Sequence, residues 1–147
     1  MEYIQIILFL VVVALAIFFI YYQQKTLELI RLENREMNPS GVWWQLIPII
    51  GMVWQFIVVK KISVSIYNEL NAPIDDSIVN VQPGVSDNPA YYIGLSYCIL
   101  ICLGIVPFPF PLKSIFSLAG LLCWIIYWVQ LARYRKELRT RALVQSI

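Results

Sequence analysis

The sequence predicts an all-α, polytopic integral membrane protein: one domain, 1–147, with four apolar helical segments and helices that run on beyond the membrane. Three observations carry that expectation. Of 147 residues, 60% are apolar and 14% charged, where soluble domains run near ~45–50% and ~25%. Mean hydropathy is +0.71. Four runs without a charge, residues 4–22, 42–59, 91–106 and 114–132, hold 19, 18, 16 and 19 residues, close to the roughly 20 that cross a bilayer as a helix. A water-soluble globule, a disordered chain and a disulfide-stapled secreted domain are all excluded by this composition.

The first run, Ile4 to Tyr22, follows Met1-Glu2-Tyr3. A secretory signal opens with positive charge, and this one opens with Glu2, so the segment is read as a retained anchor despite Ala14-Leu15-Ala16. Residues 23–37 lack Gly and Pro and mix both charge signs. Lys25/Glu28 and Glu28/Arg31 are i, i+3 pairs, so the first helix is expected to continue past the membrane until Asn38-Pro39-Ser40-Gly41 breaks it.

The second run, Val42 to Val59, carries Gln45 and Gln55 and is interrupted by Pro48 and Gly51. Beyond it Ile62, Ile66 and Leu70 repeat at helical spacing. Residues 71–89 read as a loop rich in Pro, Asn, Asp, Ser and Gly. Its Asp75, Asp76 and Asp87 lack the spacing of an EF-hand. The third and fourth runs are joined by Pro107, Pro109 and Pro111 on alternate positions, which forbid helix continuation and force an extended hairpin. The tail, 133–147, is basic, with Arg133, Arg135, Lys136, Arg139 and Arg141. Aromatic pairs Tyr21-Tyr22, Trp43-Trp44, Tyr91-Tyr92 and Tyr127-Trp128 fall near segment ends, where amphipathic rings settle at headgroup level.

Lys and Arg collect on cytoplasmic flanks. Four spans with both termini inside put seven of the eleven basic residues in the cytoplasm. A rival threading makes 42–59 re-entrant and places ten there, leaving only Lys113 outside. Trp43 and Trp54 are eleven residues apart, about 16 Å along a helix, short for two opposite interfaces. Re-entrant segments are uncommon, and Pro and Gly are tolerated within spans, so four spans is the first reading. Both threadings leave the C-terminus in the cytoplasm.

Histidine is absent, which removes imidazole acid–base catalysis and His-ligated metals or haem. Cys98, Cys102 and Cys123 lie in apolar runs and read as buried small hydrophobes. No Asp, Glu, Lys or Arg interrupts the four runs, which argues against a proton-coupled transporter or pump. Neither a G-x-S-x-G elbow nor a carboxylate cluster with metal spacing occurs. The expectation is therefore no enzyme, no cofactor and, at net charge +2, no nucleic-acid partner.

The stretch Asn34 to Trp44, followed by Ile47-Pro48 and Val53-Trp54-Gln55-Phe56, and later Tyr127-Trp128-Val129-Gln130 before the basic tail, resembles a family of small bacterial multi-span membrane proteins of unknown function. The resemblance covers about a third of the chain. It implies a bacterial inner-membrane protein and carries over no site residues.

Two functions of different class follow. The first is assembly within the lipid bilayer, as an accessory or scaffolding subunit of a larger membrane-protein complex. The second is a homo-oligomeric channel with Gln45, Gln55, Pro48 and Gly51 near its pathway. The cations Arg133, Arg135, Lys136, Arg139 and Arg141 are candidate contacts for a cytoplasmic partner or for anionic lipid.

Overall fold

The computed structural model of the chain describes residues 2–73 and 88–145. Among the described residues there are four α-helices: α1 (Glu2–Glu28), α2 (Pro48–Asn71), α3 (Tyr91–Ile105) and α4 (Leu112–Gln145). Two 3-10 helices, Leu32–Asn34 and Pro39–Leu46, lie between α1 and α2, and no strand occurs among the described residues. Tyr3–Glu28, Pro48–Asn71 and Leu112–Val144 are long and apolar enough to cross a membrane, and α3 is a shorter apolar helix. Of the expected loop 71–89, residues 74–87, including Asp75, Asp76 and Asp87, lie outside the described residues.

The directions of the helices follow from who touches whom. α3 and α4 form an antiparallel hairpin, with Gly104 beside Ser117 and Gly94 beside Tyr127. α2 runs antiparallel to α3, since Val59 meets Gly94 while Gln55 reaches Cys102. α1 runs parallel to α4: Phe19 meets Trp124, and three residues later Tyr22 meets Trp128 and Arg135. So α1, α2 and α4 point the same way and α3 opposes them. The C-terminal ends of α1, α2 and α4 share one end of the bundle with the start of α3. Pro48 and the proline hairpin sit toward the other.

This arrangement obliges the chain between α1 and α2 to travel back down the bundle, and it does so alongside α2. Asn34 binds Glu69, Glu36 binds Ser65, Trp54 binds the Gly41 carbonyl, and Gln45 abuts Gly51. Two sequence expectations are corrected here. The run 42–59 is not one helix broken in its middle. Residues 39–46 are a descending 3-10 helix, and Pro48 opens α2, a first-turn position where its missing N–H costs nothing and its fixed φ suits the helix. Gly51 is no breaker either. It lies inside α2, and a Cβ there would overlap the Gln45 carbonyl, so the glycine is what lets the descending segment turn so tightly.

The second correction concerns α1, which stops at Glu28 and does not run on to Met37. Its last turn tightens through N–H bonds from Leu29 and Ile30 to the Thr26 and Leu27 carbonyls. Arg35 then reaches back to the Ile30 carbonyl at 2.8 Å. Open carbonyls at a helix end need such donors. The Lys25–Glu28 pair forms at 2.7 Å, while Arg31 turns to Glu33 and Glu69 rather than Glu28. At the other end α4 continues without a break through the basic tail to Gln145.

Within hydrocarbon, burial from water drives nothing, and packing and hydrogen bonding hold helices together. Phe19 is the anchor of α1. Its ring lies 5.2 Å from Trp124, 5.5 Å from Trp128, 6.0 Å from Tyr127 and 6.4 Å from Tyr97. Edge-to-face pairs of this kind contribute about 0.5–1.5 kcal/mol each. Below Phe19 the helix parts from the bundle, and Tyr3 to Val12 are exposed on every face.

Candidate functional site

Where α1 parts from the bundle it leaves a half-enclosed cavity of ≈ 580 Å³. The descending segment and the foot of α2 form one wall, α3 and α4 another, and Leu15, Ala16 and Phe19 of α1 a third. All four residues singled out in the sequence, Gln45, Pro48, Gly51 and Gln55, line it. No Asp, Glu, Lys or Arg is among the described residues that do.

The two glutamines differ in how well they are held. Gln45 donates its amide to Gln23 Oε1 at 2.7 Å and to the Val42 carbonyl at 3.0 Å. Gln23 is fully buried, so this pair locks the descending segment to α1. Trp43 adds a second lock, its indole N–H donating to Gln24 Oε1 at 2.6 Å. Gln55 donates only to the Cys102 thiol sulfur, at 3.7 Å. Sulfur is a weak acceptor, so Gln55 keeps donor capacity on the cavity.

A second constellation lies at the opposite end of α2. The Glu69 side chain is buried, 3% exposed. Its carboxylate accepts the Arg31 backbone N–H at 3.1 Å, Arg31 Nε at 3.0 Å and Asn34 Nδ2 at 2.8 Å. Arg141, arriving from α4, donates to the Glu69 carbonyl and to the Ala72 carbonyl at 3.3 Å. The connection after α1 and the tail of α4 are thereby both clasped to the end of α2, where the Arg141 side chain meets open carbonyls.

The five basic residues of the tail do not form one surface. Arg141 is turned inward to α2, and Arg135 lies over the Tyr22 ring at 4.4 Å, a cation–π contact. Arg133, Lys136 and Arg139 are exposed, three residues apart and so along one side of α4.

Sequence reasoning missed Glu69 and Gln23. Glu69 sits beside Leu70 and three residues after Ile66 in the apolar stripe of α2. An acid on the buried side of a stripe is a signal that could have been read. Gln23 carried none, since it follows Tyr21-Tyr22 in what looks like an interfacial run. Compared with family models, with curated proteins and with solved structures, the chain matches none.

Proposed function

We propose that this protein acts by assembly, as an accessory or scaffolding subunit that holds a membrane partner through its first helix and its charged end. One observation carries the reading: Tyr3 to Val12 of α1 are apolar apart from Gln5 and are exposed on every face. A helix that rests on its own bundle only from its middle upward offers a second chain a contact surface a full 15 Å long, by the ~1.5 Å rise per residue. Helices associate in lipid by such close packing. Arg133, Lys136 and Arg139 add a cationic side on α4 for the partner's cytoplasmic portion.

The threading that goes with this reading is the re-entrant one, in a bacterial inner membrane with the C-terminus in the cytoplasm. In this threading residues 42–59 dip into the bilayer and return to the same face, a course that the antiparallel run of the chain between α1 and α2 supports. Pro48 to Val59, the uncharged part of α2, covers about 18 Å as helix before Lys60 and Lys61. Irregular backbone at that depth is tolerated when protein covers it: the Gly41 carbonyl accepts from the Trp54 indole and the Val42 carbonyl from Gln45, while the Gln23–Gln45 and Gln24–Trp43 side-chain bonds pin the segment to α1. Ten of the eleven basic residues then lie on the cytoplasmic side.

The test is native mass spectrometry of the tagged protein extracted gently from its own membrane. A fixed stoichiometry with a different membrane protein is expected. Replacing the side chains of 4–12 by leucine keeps a membrane helix and removes its specific surface. Co-purification that survives this change, and survives removal of Arg133–Arg141 as well, overturns the reading.

A homo-oligomeric channel is the alternative, favoured by the convergence of Gln45, Gln55, Pro48 and Gly51 on one cavity. The apolar lining and the internal bonds of Gln45 favour assembly over it. Conductance in reconstituted bilayers that changes in Gln45→Leu and Gln55→Leu supports the channel, and a silent parent protein ends it.

A further inference from the structure

We infer that the cavity between α1 and the foot of α2 is a binding site for an uncharged lipid-soluble molecule that bears a carbonyl acceptor, held by hydrogen bonding to Gln55. This goes beyond the assembly reading and does not rest on it.

Size selects the occupant first. A helix about 10 Å across would fill ≈ 580 Å³ with only about one and a half turns, too little to dock a partner's segment. The volume does fall within the ~300–1,000 Å³ of small-molecule sites. A void of this size left empty forfeits the dispersion contacts of all its walls. Water is a poor filler, because apolar cavities stay dry and these walls are predominantly apolar, with Leu, Ile, Val, Met, Phe and Trp side chains among them.

Charge and hydrogen bonding then narrow the chemistry. With no Asp, Glu, Lys or Arg on the described walls, an ionised headgroup would enter without a counter-charge, which a low-dielectric site penalises heavily. Gln55 brings an amide with one weak bond, to a thiol sulfur at 3.7 Å, and beside Tyr97 and Ser117, whose polar groups on the lining are hydroxyls, it offers N–H donors. Gln45 by contrast spends its amide on Gln23 and Val42. An amide N–H in hydrocarbon gains most from an oxygen acceptor. Phe19, Tyr97 and Trp124 stand on the same walls and offer flat apolar faces to whatever carries that carbonyl. The shared chemistry is an uncharged carbonyl on a hydrocarbon chain, which a glyceride ester and a prenylated quinone both provide.

Photo-crosslinking of the purified full-length protein in mild detergent tests this. The probes are a diazirine-bearing monoacylglycerol, a diazirine-bearing ubiquinone analogue and, as the anionic control, a diazirine-bearing fatty acid at neutral pH. At least one uncharged probe is expected to label residues 15–20 or 52–55, and which of the two does so assigns the carbonyl to ester or quinone. Gln55→Leu should weaken that probe about five- to tenfold, the size of one net hydrogen bond. Ala16→Phe, or Leu121→Trp on the facing wall should the first fail to fold, should abolish the labelling. Labelling spread equally over Tyr3–Val12 and untouched by the filling variants means boundary lipid only, and it overturns the site. Equal capture of the fatty acid overturns the requirement for an uncharged ligand, and no capture of either uncharged probe overturns the proposal outright.

Discussion

Glu69 and Arg31 lie 38 positions apart, yet one carboxylate takes both the backbone N–H and the guanidinium Nε of the same arginine, at 3.1 and 3.0 Å. The double contact fixes a backbone and a side chain together. It draws the chain off the axis of α1 three residues after that helix ends, and it starts the descent along α2.

Glu69→Gln should therefore unfasten the connection between α1 and α2. Removing one partner of a buried ion pair costs about 3–5 kcal/mol. The Arg31 side chain is one-third exposed, so about 2 kcal/mol is the expected loss. The measurement is melting temperature in detergent, with tryptic cleavage at Arg31 and Arg35 as the local reporter. Glu33→Gln removes the other, largely exposed partner of Arg31 and should cost under ~1 kcal/mol. Equal effects for the two variants would show that the clasp is not what holds this segment.

Two glycines of this bundle should respond differently to the same added methyl. At Gly51 a Cβ overlaps the Gln45 backbone carbonyl; at Gly94 it meets the Val59 side chain and the Tyr127 ring. Side chains give way more cheaply than backbone. In a helix interior Ala gains about 1 kcal/mol over Gly, against about 1–3 kcal/mol for overpacking. Gly94→Ala should then cost roughly 1 kcal/mol, while Gly51→Ala should exceed 3 kcal/mol and separate the descending segment from α2. Tryptophan emission checks it, because the Trp44 and Trp54 rings lie 6.1 Å apart, tilted to one another, across that turn.

These two sites also mark how far the sequence could be read. The apolar runs gave the positions of α3 and α4, and the alternate prolines gave their hairpin, because those signals are local. Pro48 and Gly51 were visible but misassigned: the same two residues serve a broken span and a helix that starts at Pro48, and the choice depends on a carbonyl packed against Gly51. The end of α1 was illegible in residues 23–37, whose composition suits a helix. What stops the helix is Glu69, far along the chain, together with Arg35 folding back on the Ile30 carbonyl. Gln45 and Gln55 were legible as polar residues in apolar surroundings, but not the difference in their partners.

Arg141 and Arg139 are neighbours in the tail with unlike roles. Arg141 donates to the Glu69 and Ala72 carbonyls at the end of α2, whereas Arg139 is exposed. Arg141→Ala should lower stability by about 1.5–3 kcal/mol, the range for a charged donor on open carbonyls, and Arg139→Ala by less than ~0.5 kcal/mol. If tail contacts to a partner use the exposed side of α4, the ranking inverts in a binding assay: Arg139→Ala weakens association and Arg141→Ala does so only through stability. Parallel melting and co-purification series separate the two.

The Gln23–Gln45 bond joins α1 to the descending segment inside apolar surroundings. Gln45→Leu strands the Gln23 carbonyl and should cost about 1–2 kcal/mol, within the range for an unmet buried acceptor. Gln23→Leu combined with Gln45→Leu removes both partners and should recover most of that loss. A double-mutant cycle reports the coupling directly. A double variant that is additive, with no recovery, would mean that the two amides contribute independently.

The re-entrant threading and the four-span threading disagree about the first loop and the N-terminus, and cysteine accessibility separates them. With Cys98, Cys102 and Cys123 replaced by alanine, single cysteines at Tyr3, Arg35, Lys113 and Arg139 are exposed to a membrane-impermeant maleimide on intact cells. Parallel α1, α2 and α4 place Arg35 and Arg139 at one end of the bundle and Tyr3 and Lys113 at the other. The re-entrant threading therefore expects Tyr3→Cys and Lys113→Cys to label, and Arg35→Cys and Arg139→Cys to label only after lysis. Four spans expect Arg35→Cys to label alongside Lys113→Cys while Tyr3→Cys stays protected. Lys113 is outside in both, so the decisive pair is Tyr3 and Arg35. Labelling of Arg35→Cys on intact cells would break the link between the charge distribution and the descent of 39–46, because ten cations could no longer share the cytoplasmic face.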